Sequence, residues 1–148
     1  MKIFYDTNII LEFLLKRKEG DKVRDILLWS HENHVEKFLS SGSFYTLTYL
    51  IEKYLKNQGI QDTQNRRHKL TCILSVLLQE YKIIGETDWG KAISDVRFSD
   101  LEDSYQYQTA VNAGCNVLLT LNIRDFKQIT DSSISIMTPE EFVNKYIH

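Results

Sequence analysis

The sequence predicts an α/β fold, a three-layer sandwich around a central, mainly parallel five-stranded sheet. Three observations carry this. Short apolar segments alternate with longer stretches of helical spacing along all 148 residues. No hairpin signal such as Asn-Gly joins neighbouring strands, which implies parallel strands linked by right-handed crossovers. The segment 116–121 is an apolar strand of the kind found in the centre of a parallel sheet.

Residues 2–5, Lys-Ile-Phe-Tyr, form the first strand and stop at Asp6. Ile9, Ile10, Phe13 and Leu14 then fall on one helical face. A second helix covers 21–32, with Val23, Ile26, Leu27 and Ser30 on one side, and 34–40 reads as the second strand. Ser43 is expected to cap a helix through Phe44, Leu47, Ile51 and Leu55 that Gly59 breaks. The polar segment 61–69 leads into a helix whose stripe is Leu70, Ile73, Leu74, Leu77 and Leu78. A third strand at 81–85 precedes a short helix at 89–96. Ser99 and Glu102, three apart, form a capping box for a helix that Gly114 closes. After the strand at 116–121, a fifth strand at 133–137 runs into Thr138-Pro139-Glu140-Glu141, a second capping box with proline at the first helical position.

No repeat or linker divides the chain, so one domain over 1–148 is expected. With 18 Lys and Arg against 20 Asp and Glu, the net charge of −2 argues against tight, indiscriminate nucleic-acid binding through a broad basic surface. It leaves room for an enzyme using a few local cations. Cys72 and Cys115 are far apart without metal-ligand spacing and read as small core residues of a reduced, cytoplasmic protein. No apolar run approaches the roughly 20 residues that span a membrane, and the first residues do not form a signal peptide.

Open parallel sheets bind ligands at the carboxyl ends of their strands. The first strand ends in Asp6-Thr7-Asn8, and the fourth in Thr120-Leu121-Asn122 with Asp125 just beyond. The helix before the fourth strand opens with Asp100, Glu102 and Asp103. If the first and fourth strands are neighbours, these acids share one crevice, where they repel unless a cation joins them. Oxygen ligands with few imidazoles select Mg²⁺ or Mn²⁺ over zinc. Dinucleotide and P-loop signatures are missing, as are a nucleophile elbow and an acid at position 8 for phosphoryl transfer.

Asp6-Thr7-Asn8, Asp103 within Phe98-Ser99-Asp100-Leu101-Glu102-Asp103, and Thr120-Leu121-Asn122-Ile123-Arg124-Asp125-Phe126 together resemble the PIN domain family, in particular VapC-type ribonuclease toxins. The resemblance runs over essentially the whole chain. It implies a Mg²⁺- or Mn²⁺-dependent endoribonuclease, with Asp6, Asp103 and Asp125 as metal ligands and Asn122 at a further catalytic position where many members carry Asp. It also implies a homodimer held inactive by a small antitoxin and RNA as substrate; no membrane association is expected, because the apolar runs are too short. Two departures stand out: Thr46 occupies the place of the remaining family acid, and Asn122 replaces a carboxylate. They leave about three anionic ligands, so metal binding in the free protein is expected to be weak and strengthened by substrate phosphate.

Each residue also has a structural reading. Asp6 can cap the first helix, Asp103 can favour the helix dipole, and Asp125 can pair with Arg124 or Lys127. Asp100 and Glu102 are assigned mainly to capping and dipole roles. Asn122 can serve as a turn residue, and Thr120 is expected to orient an acid through its hydroxyl. Glu52, the acid nearest Thr46, is read as a surface partner of Lys56. The basic segments 16–18 and 66–69 are either solvated surface or phosphate clamps. Two further functions therefore remain open: a non-cutting PIN-like binding module with a degenerate acidic site, and a DNA nuclease of the same fold.

Overall fold

The computed structural model describes residues 1–130 and 133–148. Strands β1 (Lys2–Tyr5), β2 (Glu36–Ser40), β3 (Lys82–Ile84), β4 (Val117–Leu119) and β5 (Ser135–Met137) form a five-stranded sheet. Its spatial order is β3-β2-β1-β4-β5, and every pairing is parallel. Helices α1 (Thr7–Leu14) and α2 (Gly20–Glu32) connect β1 to β2, and α3 (Ser41–Asn57) and α4 (Thr63–Glu80) connect β2 to β3. The chain then crosses to the other side of β1 through α5 (Trp89–Ser94) and α6 (Leu101–Asn112). A 3₁₀ turn at Ile123–Phe126 and β5 lead into α7 (Pro139–Tyr146).

Strand pleating divides the core. Ile3, Tyr5, Leu39, Val117 and Leu119 pack with apolar residues of α1, α2, α3, α4 and α7 on one face. Phe4, Phe38 and Leu118 pack with Phe98, Tyr107, Ala110 and Phe126 on the other. The three-layer α/β sandwich is therefore as the sequence implies. Strand order reverses between β1 and β4, whose pairing aligns Tyr5 with Leu119, and this switch point is where parallel sheets open a crevice. Among the described residues no helix is long and apolar enough to cross a membrane.

Several local assignments shift. Ser40, not Ser43, caps α3: its hydroxyl accepts from the Ser43 backbone N–H at 2.9 Å, and the helix begins at Ser41. Asp100, not Ser99, caps α6, accepting from Glu102 N–H at 2.8 Å. A carboxylate with extended backbone is the stronger acceptor there. Glu102 is thereby freed from the expected capping box. The box at Thr138 forms as expected, with Glu141 returning to the Thr138 N–H at 2.8 Å. Gly114 follows α6 with φ of +67°, a conformation only glycine adopts without strain. Cys115 is buried, and burial pushes its thiol up to about 11. Cys72 corrects its core assignment: it lies exposed on α4, because the buried stripe there narrows to Leu70 and Leu77 while Leu78 points outward.

Candidate active site

Pairing of β1 with β4 brings Asp6 beside Thr120, and α6 adds Gln106, which bonds Asp6, and Asp103, which feels its charge. Asp6 sits one residue beyond β1, where its backbone N–H donates to Leu119 O at 3.0 Å. Its Oδ1 accepts from the Thr7 N–H at 2.7 Å and from Gln106 Nε2 at 3.3 Å. Its Oδ2 accepts from the Thr120 hydroxyl at 2.9 Å. Asp6 thus caps α1, and Thr120 orients the acid as expected. Burial raises the Asp6 carboxyl above its ordinary value, these hydrogen bonds oppose the rise, and the charge of Asp100 adds to it.

Asp103 is buried at the start of α6. Its carboxyl is pushed up to about 7, first by burial, then by the charge of Asp6 and a hydrogen bond with Asp125. Asn122 reaches Asp103 through Nδ2 at 3.5 Å, and its own N–H donates to Thr120 Oγ1 at 3.0 Å. Asp125, in the 3₁₀ turn, is half-buried and aims at Asp103; among the described residues it forms no ion pair with Arg124 or Lys127. The four sequence-chosen residues Asp6, Asp103, Asn122 and Asp125 therefore meet at one switch-point crevice.

Glu102 belongs there as well. Burial and the charges of Asp6 and Asp100 raise its carboxyl, and it borders the same opening as Thr46 and Gln106. Sequence reasoning missed Gln106, which is 4% exposed. Besides Asp6, its amide donates to Ser43 Oγ at 2.6 Å and to Thr7 Oγ1 at 3.3 Å, while Ser43 and Thr7 share a hydrogen bond of 2.7 Å. Its only signal was a position one helical turn beyond Asp103.

Arg66, from the denser basic segment, is engaged elsewhere. It approaches Glu52 at 3.9 Å and donates to Ile60 O at 3.2 Å, so it braces the α3–α4 connection. Glu52 also pairs with Lys56 at 3.9 Å, a surface role as expected. Nine residues of helix separate Glu52 from Ser43, about 14 Å at 1.5 Å per residue.

The donor set is entirely oxygen and amide, which suits a hard divalent cation and not zinc. Among the described residues no three His, Cys, Asp or Glu side chains already converge tightly enough to hold a metal. A bound cation would have to draw the carboxylates together.

A parallel α/β sheet carrying an acidic, oxygen-rich crevice at its switch point defines the class. The PIN domain model matches residues 2–124, and the chain belongs to the PIN domain family. It is 27% identical to Ribonuclease VapC1 of Aquifex aeolicus (strain VF5) over 98% of this chain and 95% of that protein. Its fold is similar to a chain in VapBC2 from Rickettsia felis bound to a DNA fragment from their promoter, with TM-score 0.67 and 19% identity. That match covers 93% of this chain and 98% of the other. A chain in VapBC-1 from nontypeable Haemophilus influenzae gives TM-score 0.63 at 16% identity, covering 95% and 99%.

Proposed function

We propose that this protein is a Mg²⁺- or Mn²⁺-dependent endoribonuclease, the cytoplasmic toxin of a type II toxin–antitoxin pair, homodimeric and restrained by a small antitoxin. The observation that carries the reading is the meeting of Asp6, Asp103 and Asp125 at the β1–β4 switch point of a PIN domain. The similarity to Ribonuclease VapC1 and to chains of VapBC complexes supports the nuclease and the antitoxin partner.

Asp6, Asp103 and Asp125 would hold the cation. When bound, it would make water more acidic and offset phosphate charge. The chain's own residues supply position and proton handling. Thr120, Gln106 and the Thr7 N–H hold both oxygens of Asp6 in place. Without a cation, the crowded Asp103 carboxyl keeps a proton up to about 7 and shares it with Asp125, and it would release that proton when a cation binds. Asn122 fixes the orientation of Asp103 without adding charge.

A non-cutting binding module is the second reading. It is favoured by Thr46 and Asn122 in place of acids and by the absence, among the described residues, of a ready-made metal cluster. Purified protein incubated with RNA in Mn²⁺ should cleave it, whereas EDTA or Asp6→Asn should abolish cleavage. Cleavage surviving either change would sink the nuclease assignment; RNA binding without cleavage would favour the second reading. Tight binding of two Mn²⁺ ions without RNA would contradict the weak-site expectation.

A further inference from the structure

Beside the acidic crevice lies a cleft of about 180 Å³, between the first turns of α3, the end of β3 and α6. Glu102, whose carboxyl feels the Asp6 charge, and Gln106, which donates to Asp6, line it, so it adjoins the acids, and Trp89 and Tyr105 supply its aromatic wall. Resting on the nuclease reading, we propose that this cleft is a base-binding subsite, which takes one unpaired nucleobase of the RNA and so sets the strand beside the acids.

Several independent features fit a nucleobase. Trp89 is 56% exposed although it belongs to a helix, and it meets Tyr105 edge-to-face with ring centroids 5.2 Å apart and planes at 75°. That contact holds the indole at a fixed tilt while leaving ring surface open for stacking. The cleft is smaller than the roughly 300–1,000 Å³ of a drug-sized ligand site, which suits a single planar ring system. Thr46 also lines the cleft, and its hydroxyl has no hydrogen-bond partner among the described residues. A hydroxyl donates and accepts, so it can meet the edge of an uncharged base. The position where the family resemblance expects an acid is therefore neutral here, and a neutral ring can approach it without losing a carboxylate's hydration. A base paired within a duplex presents no free face, so the cleft selects unpaired nucleotides.

The test uses the full chain carrying Asp6→Asn, in EDTA, so that binding is read without cleavage. A ten-nucleotide mixed-sequence single-stranded RNA, the same DNA strand, and the RNA annealed to its complement are titrated separately. Tryptophan emission and the anisotropy of a labelled strand are followed together. Trp29 packs against Phe142 and Tyr146 in the opposite layer and serves as a constant background. The single-stranded RNA should quench Trp89 and the duplex should not. Adding Trp89→Ala should weaken RNA binding about tenfold or more, the usual loss for one stacked base, and Trp89→Phe should restore most of it. In the cleaving protein, Trp89→Ala should raise KM more than it lowers kcat. Melting curves confirm that the variants fold, as expected for an exposed side chain.

Unchanged affinity and KM in a folded Trp89→Ala protein, with no quenching, would overturn the subsite while leaving the nuclease assignment intact. Equal quenching by duplex and single strand would also overturn it. Quenching by single-stranded RNA in a protein that never cleaves RNA would support the subsite and sink the nuclease assignment. Equal response to the DNA strand supports a base subsite that does not read the 2′-hydroxyl; a response confined to RNA supports one that does.

Discussion

Replacing Asp103 by Asn removes one negative charge from the crevice while keeping the side chain's shape and a hydrogen-bonding group for Asp125. In the parent protein, burial, the Asp6 charge and the Asp125 hydrogen bond raise the Asp103 carboxyl from 3.8 to about 7. The unfolded chain ionises the same group near its ordinary value. Between these two values the folded state keeps a proton that the unfolded state has released. Stability is therefore full below the lower value and is lost as pH rises through the window to about 7. At about 1.4 kcal/mol per pH unit, the upper bound is on the order of 4 kcal/mol. Solvent screening at the mouth and proton sharing with Asp125 reduce it to about 1–2 kcal/mol. For a domain of this size each kcal/mol moves Tm by about 2–4 °C. In EDTA, Asp103→Asn should melt close to the parent at pH 4 and about 3–6 °C higher at pH 8. Equal melting at both pH values, or a less stable variant at pH 8, would refute the claim that the crevice acids strain the fold.

Gln106→Leu removes the donor shared by Asp6, Thr7 and Ser43. It should cost about 1–3 kcal/mol in urea unfolding and lower kcat for RNA with little change in KM. Glu80→Ala leaves the Lys37 ammonium, 8% exposed and paired at 2.6 Å, without its carboxylate. Urea titration should find a loss of about 1–2 kcal/mol near neutrality. Lys37 holds the Glu80 carboxyl below its ordinary 4.5, so this contribution is present above that value and fades as pH falls through the lowered one. Phe142→Ala empties a fully buried site against Trp29 and Tyr146. It should cost about 3–5 kcal/mol by chemical denaturation, although α7 lies beyond the residues matched by the family model.

Much of the fold was legible because apolar periodicity and burial share one cause. Ile9, Ile10, Val23, Ile26, Leu47 and Ile51 were chosen by spacing, and each lies in the core. The stripe on α4 misled because periodicity reports a face without saying how much of it a neighbour covers. Only Leu70 and Leu77 are buried there. Cap positions moved by one to three residues, to Ser40 and Asp100, because adjacent Ser and Asp offer competing acceptors and backbone geometry chooses between them. Within the candidate site, Asp6, Asp103, Asn122 and Asp125 were legible from their places at element ends. Gln106, Ser43 and the nearness of Glu102 to the Asp6 charge were not, because their partners lie in distant parts of the chain.

By itself, the sequence determined the alternation of strands and helices, the parallel sheet, and which acids stand at strand and helix ends. Those properties are written in local spacing and in the chemistry of single residues. Only the tertiary structure decided that β1 lies against β4, since strand adjacency is a long-range choice. That adjacency puts Thr120 on Asp6 and, with α6 folded over it, crowds Asp103 against like charges. It also set Trp89, Tyr105 and Thr46 around one cleft. Carboxylate repulsion and aromatic exposure depend on distance and solvent, and both come into being when these segments meet.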